Sequence, residues 1–361
     1  MGGTFIAAPT IILLALLGTF FASFVNVHVL VDVLEGQQKN DTVTSFEDIW
    51  PNIRTKLCPK MRPNINYGRN LFLATQRQLG MSPIEDSAEL TAFQHFIGEE
   101  RFWTFQSGGW IHTPKGGGVS TIYLRIFKAG NNQLMSGYET ILSGSRAEGS
   151  YTRFDKLYDI PRQILKNACI VTAVRDPVER WLSGYNEIEY RAVEVRPERM
   201  KNHSSVQQFH RFQNGTEQRF DQFVRDFIGG PARDLKIQYG HIYSMTGILY
   251  HLEKDVGATL TSYLSSLQNL THTFPDFITS TCPNLPKSAQ KPMSLHGQHV
   301  TSGDPLGFYA AAKESWKKQA TTARALCTIS AMDYACYERL PVPALCQEVF
   351  ADESFVRSFA Q

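Results

Sequence analysis

The stretch Gly109-Trp110-Ile111-His112-Thr113-Pro114-Lys115-Gly116-Gly117-Gly118-Val119-Ser120-Thr121 decides how the rest of the chain is read. It opens as a short apolar run suited to a strand and turns through three glycines. A helix is expected next, because Val119, Ile122, Tyr123, Ile126 and Phe127 recur at i, i+3, i+4, i+7 and i+8. A glycine-rich turn between strand and helix leaves backbone N–H groups free at the positive end of a helix dipole. Such a turn is an anion site, and Lys115 adds a full charge to it. The lysine precedes the glycines, whereas in the nucleotide-hydrolase pattern G-x-x-x-x-G-K-[ST] it follows them. Taken alone, the same residues also suit an ordinary glycine turn of an α/β domain.

A second stretch strengthens the first. Cys169-Ile170-Val171-Thr172-Ala173-Val174 is a β-prone apolar run fit for a buried parallel strand. Arg175-Asp176-Pro177 follows, with Asp176 suited to cap a helix and Pro177 to its first turn. Val178, Trp181, Leu182, Tyr185 and Ile188 mark the buried face of that helix. Arg175 thus stands at the carboxyl end of a strand, where open α/β sheets bind ligands. Ser183 lies eight residues on.

His112, Pro114, Lys115, Gly117, Gly118 and Ser120 match the phosphosulfate loop of the membrane-bound, Golgi-type carbohydrate sulfotransferases, which reads His-x-Pro-Lys-Thr-Gly-Gly-Thr-Ser. Gly116 and Val119 each replace a threonine of that pattern. Arg175, Asp176, Pro177, Arg180 and Ser183 are similar to the family's 3′-phosphate element, Arg-Asp-Pro-x-x-Arg-x-x-Ser. The resemblance runs over about 110–346. It implies an α/β fold, a P-loop-like three-layer domain with a central parallel sheet, and transfer of a sulfuryl group from 3′-phosphoadenylyl sulfate to a glycan hydroxyl or amine. It further implies that Lys115, Gly116, Gly117, Gly118, Val119 and Ser120 hold the 5′-phosphate and that Arg175 and Ser183 hold the 3′-phosphate. Lys115 would also stabilise charge on the departing phosphate. Relatives use a glutamate shortly after the phosphosulfate loop, or a histidine further on, as the base. Glu139, 24 residues after Lys115, is the candidate, with Glu148 next. Residues 239–249, with His241, and 295–302, with His299, resemble later stretches of the same family.

The remainder of the chain fits that setting. No Asp, Glu, Lys or Arg occurs before Asp32, and 5–31 is largely apolar over 27 residues, against the about 20 that a bilayer needs. The apolar part of a cleaved signal peptide is shorter, about 7–15 residues. The expected order is a cytosolic tail 1–4, a transmembrane signal anchor 5–31, a polar stem 32–60 and a lumenal domain 61–361. The location implied is the Golgi membrane, single-pass, with the domain in the lumen. Asn40, Asn202, Asn214 and Asn269 open glycan acceptor sequons. Lumenal exposure permits disulfides among the six cysteines, Cys58, Cys169, Cys282, Cys327, Cys336 and Cys346, a local bridge being expected among the last three. No Cys or His spacing suits a metal. A net charge of +2 without basic blocks gives no nucleic-acid signature. Two other functions are open to this sequence: a non-catalytic lumenal protein binding nucleotide or glycan, and a nucleotide-dependent kinase. Lysine-before-glycine order and the lack of a magnesium pattern disfavour the kinase.

Overall fold

The computed structural model describes residues 45–81, 108–143, 149–195, 211–229, 241–283, 285, 289, 304–318 and 321–357. The expected anchor, the first part of the stem, Glu148, His299 and the sequons at Asn40 and Asn202 lie outside these residues. Among the described residues no helix is long and apolar enough to cross a membrane.

The described elements are α1 (Phe46–Leu57), α2 (Ile65–Gln78), β1 (Gly109–Pro114), β2 (Thr121–Leu124), α3 (Asn131–Ser143), β3 (Gly149–Phe154), α4 (Arg162–Asn167), β4 (Cys169–Ala173), α5 (Pro177–Tyr190), α6 (Glu217–Gly229), α7 (Gly247–His251), β5 (Ser262–Leu264), α8 (Leu270–Thr281), α9 (Phe308–Lys317), α10 (Thr321–Cys336), α11 (Ala344–Ala351) and α12 (Glu353–Arg357). The strands form one sheet in the order β3-β1-β2-β4-β5. β2, β4 and β5 are parallel, and β1 runs antiparallel to both β2 and β3, so four strands point one way and β1 opposes them. The sheet is therefore mixed, not wholly parallel.

Strand alternation sends side chains to opposite faces. Ile122, Leu124 and Ile170 join one core cluster, while Tyr123, Cys169, Val171 and Ala173 join another. The second cluster is closed by Leu134, Tyr138 and Ile141 of α3 and by Leu270, Phe274 and Ile278 of α8. The first, larger cluster takes α1, α2, α5, α6, α10 and α11. Helices thus cover both faces, giving three layers. α10 is buried nearly all round, as a helix apolar on every side must be. Disulfides Cys58–Cys336 and Cys327–Cys346 pin it, and Cys169–Cys282 ties β4 to the end of α8.

Two expectations are corrected here. The chain after the glycine turn is strand β2, not helix, and the turn closes a β1–β2 hairpin with Gly109 opposite Leu124 and His112 opposite Thr121. The apolar spacing fits both periods, but Thr121–Leu124 is buried at every residue, as a central strand requires. Gly116, Gly117 and Gly118 have φ of 86°, 92° and 125°, the left-handed region that turns the chain back. Nor is 32–60 a spacer throughout. Residues 46–57 form α1, whose Ile53 and Leu57 are buried and whose Trp50 stacks on Phe350 at 4.7 Å. The compact unit begins at Phe46. The polar composition of this stretch conceals the stripe Phe46, Ile49, Trp50, Ile53, Leu57, which has helical spacing.

Candidate anion site at the ends of two parallel strands

β2 and β4 lie in parallel register, Leu124 beside Thr172, and Thr172 Oγ1 donates to Leu124 O at 2.7 Å. Parallel neighbours deliver their following loops to the same edge of the sheet. One is 125–130, which leads into α3. The other is 174–176, which leads into α5. The first loop carries Lys128 at φ 64° and Gly130 at φ 73°. A left-handed lysine costs about 1–3 kcal/mol and survives where its surroundings over-determine it. Here they do, because Lys128 Nζ donates to Glu187 Oε2 on α5 at 2.8 Å.

The second loop is fixed from two directions. Asp176 caps α5 by accepting the Glu179 N–H at 2.8 Å. Tyr334 of α10 donates its hydroxyl to the other carboxylate oxygen at 2.6 Å. Arg180, fully buried, joins the two loops to a third segment. Its Nε donates to Phe127 O at 2.9 Å and its Nη1 to Tyr243 O. Burial lowers its pKa to about 10, which leaves it charged at neutral pH. Asp333 of α10 holds that third segment by accepting from Ser244 Oγ and from the N–H groups of Met245 and Thr246.

The result is a crowd of cations at one edge. Lys128, Arg175, Arg180 and Arg191 are close enough to perturb one another or His241. Two carboxylates of α5 offset them. Glu179 accepts from Arg175 at 3.3 Å, and Glu187 accepts from Lys128 and, at 2.5 Å, from Arg191 Nε. Burial would raise the Glu187 pKa, but Lys128 and Arg191 outweigh it and hold it at about 2. His241 is buried, meets the Phe127 ring edge-on at 4.9 Å, and its Nδ1 has no hydrogen-bond partner among the described residues. Burial, helped by Lys128, keeps its imidazole neutral.

The Glu187 pairing has a pH consequence. Its folded pKa is depressed from 4.5, so the stability it contributes is present above that value and is lost as pH falls toward about 2. Denaturant midpoints measured between pH 5 and about 2 are expected to fall less steeply for Glu187→Gln than for the wild type. Parallel slopes would show that the pairing contributes nothing.

The residues expected from the sequence fall into separate places. Lys115, Gly116, Gly117 and Gly118 are exposed in the hairpin turn, Val119 is half-buried, and Ser120 is buried with its hydroxyl 3.4 Å from Thr113 Oγ1. Ser120 O accepts the Cys169 N–H at 2.8 Å, which places this turn at the start of β4. Arg175 follows the end of β4, six residues on from Cys169, or about 20 Å at strand rise. The two stretches expected to hold one ligand are therefore not brought together. Arg175 lies in the cationic crowd, and Ser183 is half-buried in the second turn of α5. Glu139 sits on an exposed face of α3, eight residues and about 12 Å beyond its start. Lys128, Glu187 and Arg191 were not expected. Lys128-Ala129-Gly130 before Asn131 was a legible lysine-glycine signal, but Asn131-Asn132 reads as a turn, not as a helix start. No family model, curated protein or solved structure matches the chain.

Proposed function

We propose that this protein is a sulfotransferase that moves a sulfuryl group from 3′-phosphoadenylyl sulfate to a glycan hydroxyl or amine. We further propose that its phosphate loop is 125–130, not the glycine turn. The observation that carries this reading is the placement of Lys128 and Arg175 on adjacent strand–loop–helix junctions at one sheet edge. The loop after β2 has the lysine-x-glycine order that made Lys115 a candidate, and a helix follows it, as a P-loop-like site requires. N–H groups of the first turn of α3 have no partner within the helix and would receive the 5′-phosphate. Lys128 would meet the charge that builds on the bridging phosphate oxygen as the sulfur–oxygen bond breaks. Arg175 offers two parallel N–H bonds to the 3′-phosphate, a geometry a lysine cannot copy. His241, buried within electrostatic reach of Lys128, joins Glu139 as a second candidate to receive the acceptor's proton. Three disulfides favour the lumen of the secretory pathway, in keeping with a Golgi membrane placement.

The direct test is incubation of the protein with radiolabelled donor and a panel of polysaccharides, oligosaccharides and tyrosine peptides. Label on a sugar is the expected result. Label on peptides alone would move the acceptor to tyrosine, and no label on any acceptor would leave a binding protein. Arg175 gives a second test. The wild type is expected to bind adenosine 3′,5′-bisphosphate at least about tenfold more tightly than adenosine 5′-phosphate, since a charged bidentate contact contributes about 1.5–3 kcal/mol. Arg175→Ala should erase that preference while changing 5′-phosphate affinity far less. Equal wild-type affinities for the two nucleotides would remove the 3′-phosphate assignment.

A further inference from the structure

Lys128 and Arg175 are each held by a carboxylate, and both carboxylates come from α5. Arg175 Nη2 lies 3.3 Å from Glu179 Oε2, and Lys128 Nζ lies 2.8 Å from Glu187 Oε2. The Glu179 end has further donors from α9. Tyr309 donates its hydroxyl to Glu179 Oε2 at 2.7 Å, and Lys313 Nζ stands 3.5 Å from Glu179 Oε1. Glu179 thus gathers a guanidinium, a phenol and an ammonium around one carboxylate, the donor set that a phosphate group would draw upon. These side chains are about a third exposed, so an incoming anion can reach them. Two acids thus sit against the cations of a site whose proposed ligand is an anion, where they can stand in the place its phosphates would take.

We propose that Glu179 and Glu187 are internal counter-anions that hold Arg175 and Lys128 and release them to a ligand carrying two separated phosphates. On that proposal Tyr309 and Lys313 belong to the ligand site at its Glu179 end. The inference rests on the reading of this edge as an anion site and adds a selectivity device to it. A ligand with one phosphate displaces one carboxylate and leaves the other latch closed. A bisphosphate displaces both, and the cations it gains were already positioned, so little ordering cost is added. Glu187 also loses Lys128 when the latch opens and keeps Arg191, which prevents a buried carboxylate from being stranded.

The test is titration calorimetry on the full chain with two probes, adenosine 3′,5′-bisphosphate and inorganic pyrophosphate. Glu179→Gln and Glu187→Gln are each expected to tighten binding by about two- to fivefold, the scale of a partly exposed ion pair. Lys313→Ala is expected to weaken binding by a similar factor, although Lys313 also pairs with Glu179. Glu314→Gln removes the same charge one residue from Lys313, where the carboxylate pairs with Lys317 instead, and should leave binding unchanged. Folding of every variant is checked by near-ultraviolet circular dichroism. Should Glu187→Gln fail to fold, Glu179→Gln and Lys313→Ala decide by their opposite signs. Folded glutamine variants that bind both probes no better than the wild type would overturn the proposal, as would failure of every form to bind either probe. Tighter pyrophosphate binding by the variants, with no nucleotide binding by any form, would uphold the latch and remove the nucleotide reading alone.

Discussion

Lys128→Ala is expected to lower sulfuryl-transfer turnover by roughly 10²–10³-fold, the loss seen when a charge-stabilising donor is removed from a transition state. The lysine is held in a left-handed conformation at the carboxyl end of β2, and its side chain is largely withdrawn from water beside Glu187, 16% exposed. Burial lowers its pKa, yet Glu187 opposes that fall. A fixed, partly desolvated cation stabilises developing negative charge better than a solvated one, because no water must reorganise. Donor affinity should fall less than turnover, since the bridging oxygen gains charge only as the bond breaks. Initial rates at saturating donor separate the two effects. A variant with normal turnover and only weaker donor binding would reduce Lys128 to a docking residue.

The largest expected loss of stability lies behind the site. Arg219 of α6 and Glu189 of α5 form a bidentate pair at 2.9 and 2.6 Å, with side chains 3% and 0% exposed. Arg219 also donates to Phe212 O at 3.1 Å and to Asn214 Oδ1 at 2.6 Å, so every face of the guanidinium is committed. Arg219→Ala removes the counter-charge of a fully buried carboxylate, which costs about 3–5 kcal/mol. Replacing both partners with leucine should recover much of that loss, because the stranded charge is gone. Urea denaturation of the single and double variants checks this. A loss under about 1 kcal/mol for Arg219→Ala would mean that Glu189 is protonated or solvated in the folded protein.

How much of this was legible in the chain depended on whether a local signal had a competitor. β4 and α5 were readable because their signals agree: a β-branched run, then Asp176 as cap, Pro177 in the first turn, and apolar residues at helical spacing. The hairpin was not, because 119–127 satisfies a helical period and a buried strand alike, and only pairing with β1 and β4 decides between them. That single reading put the expected phosphate loop at Lys115, 13 residues before the Lys128 now proposed. The helix α1 was concealed by charged residues on its solvent side, and its place was settled by Cys58–Cys336, a bond spanning 278 residues that no local pattern announces. Glu187 and Arg191 carry no motif, and their meeting with His241 depends on three segments that Arg180 and Asp333 draw together.

The central claim is that the anion site lies where β2 and β4 end, with Lys128 and Arg175 as its two cations, and not at the glycine turn. Titration calorimetry of adenosine 3′,5′-bisphosphate against the wild type, Lys115→Ala and Lys128→Ala tests it most directly. Lys115→Ala is expected to bind as the wild type does and Lys128→Ala at least about tenfold more weakly, a difference of about 1.4 kcal/mol. Weaker binding by Lys115→Ala, with Lys128→Ala unchanged, would contradict it.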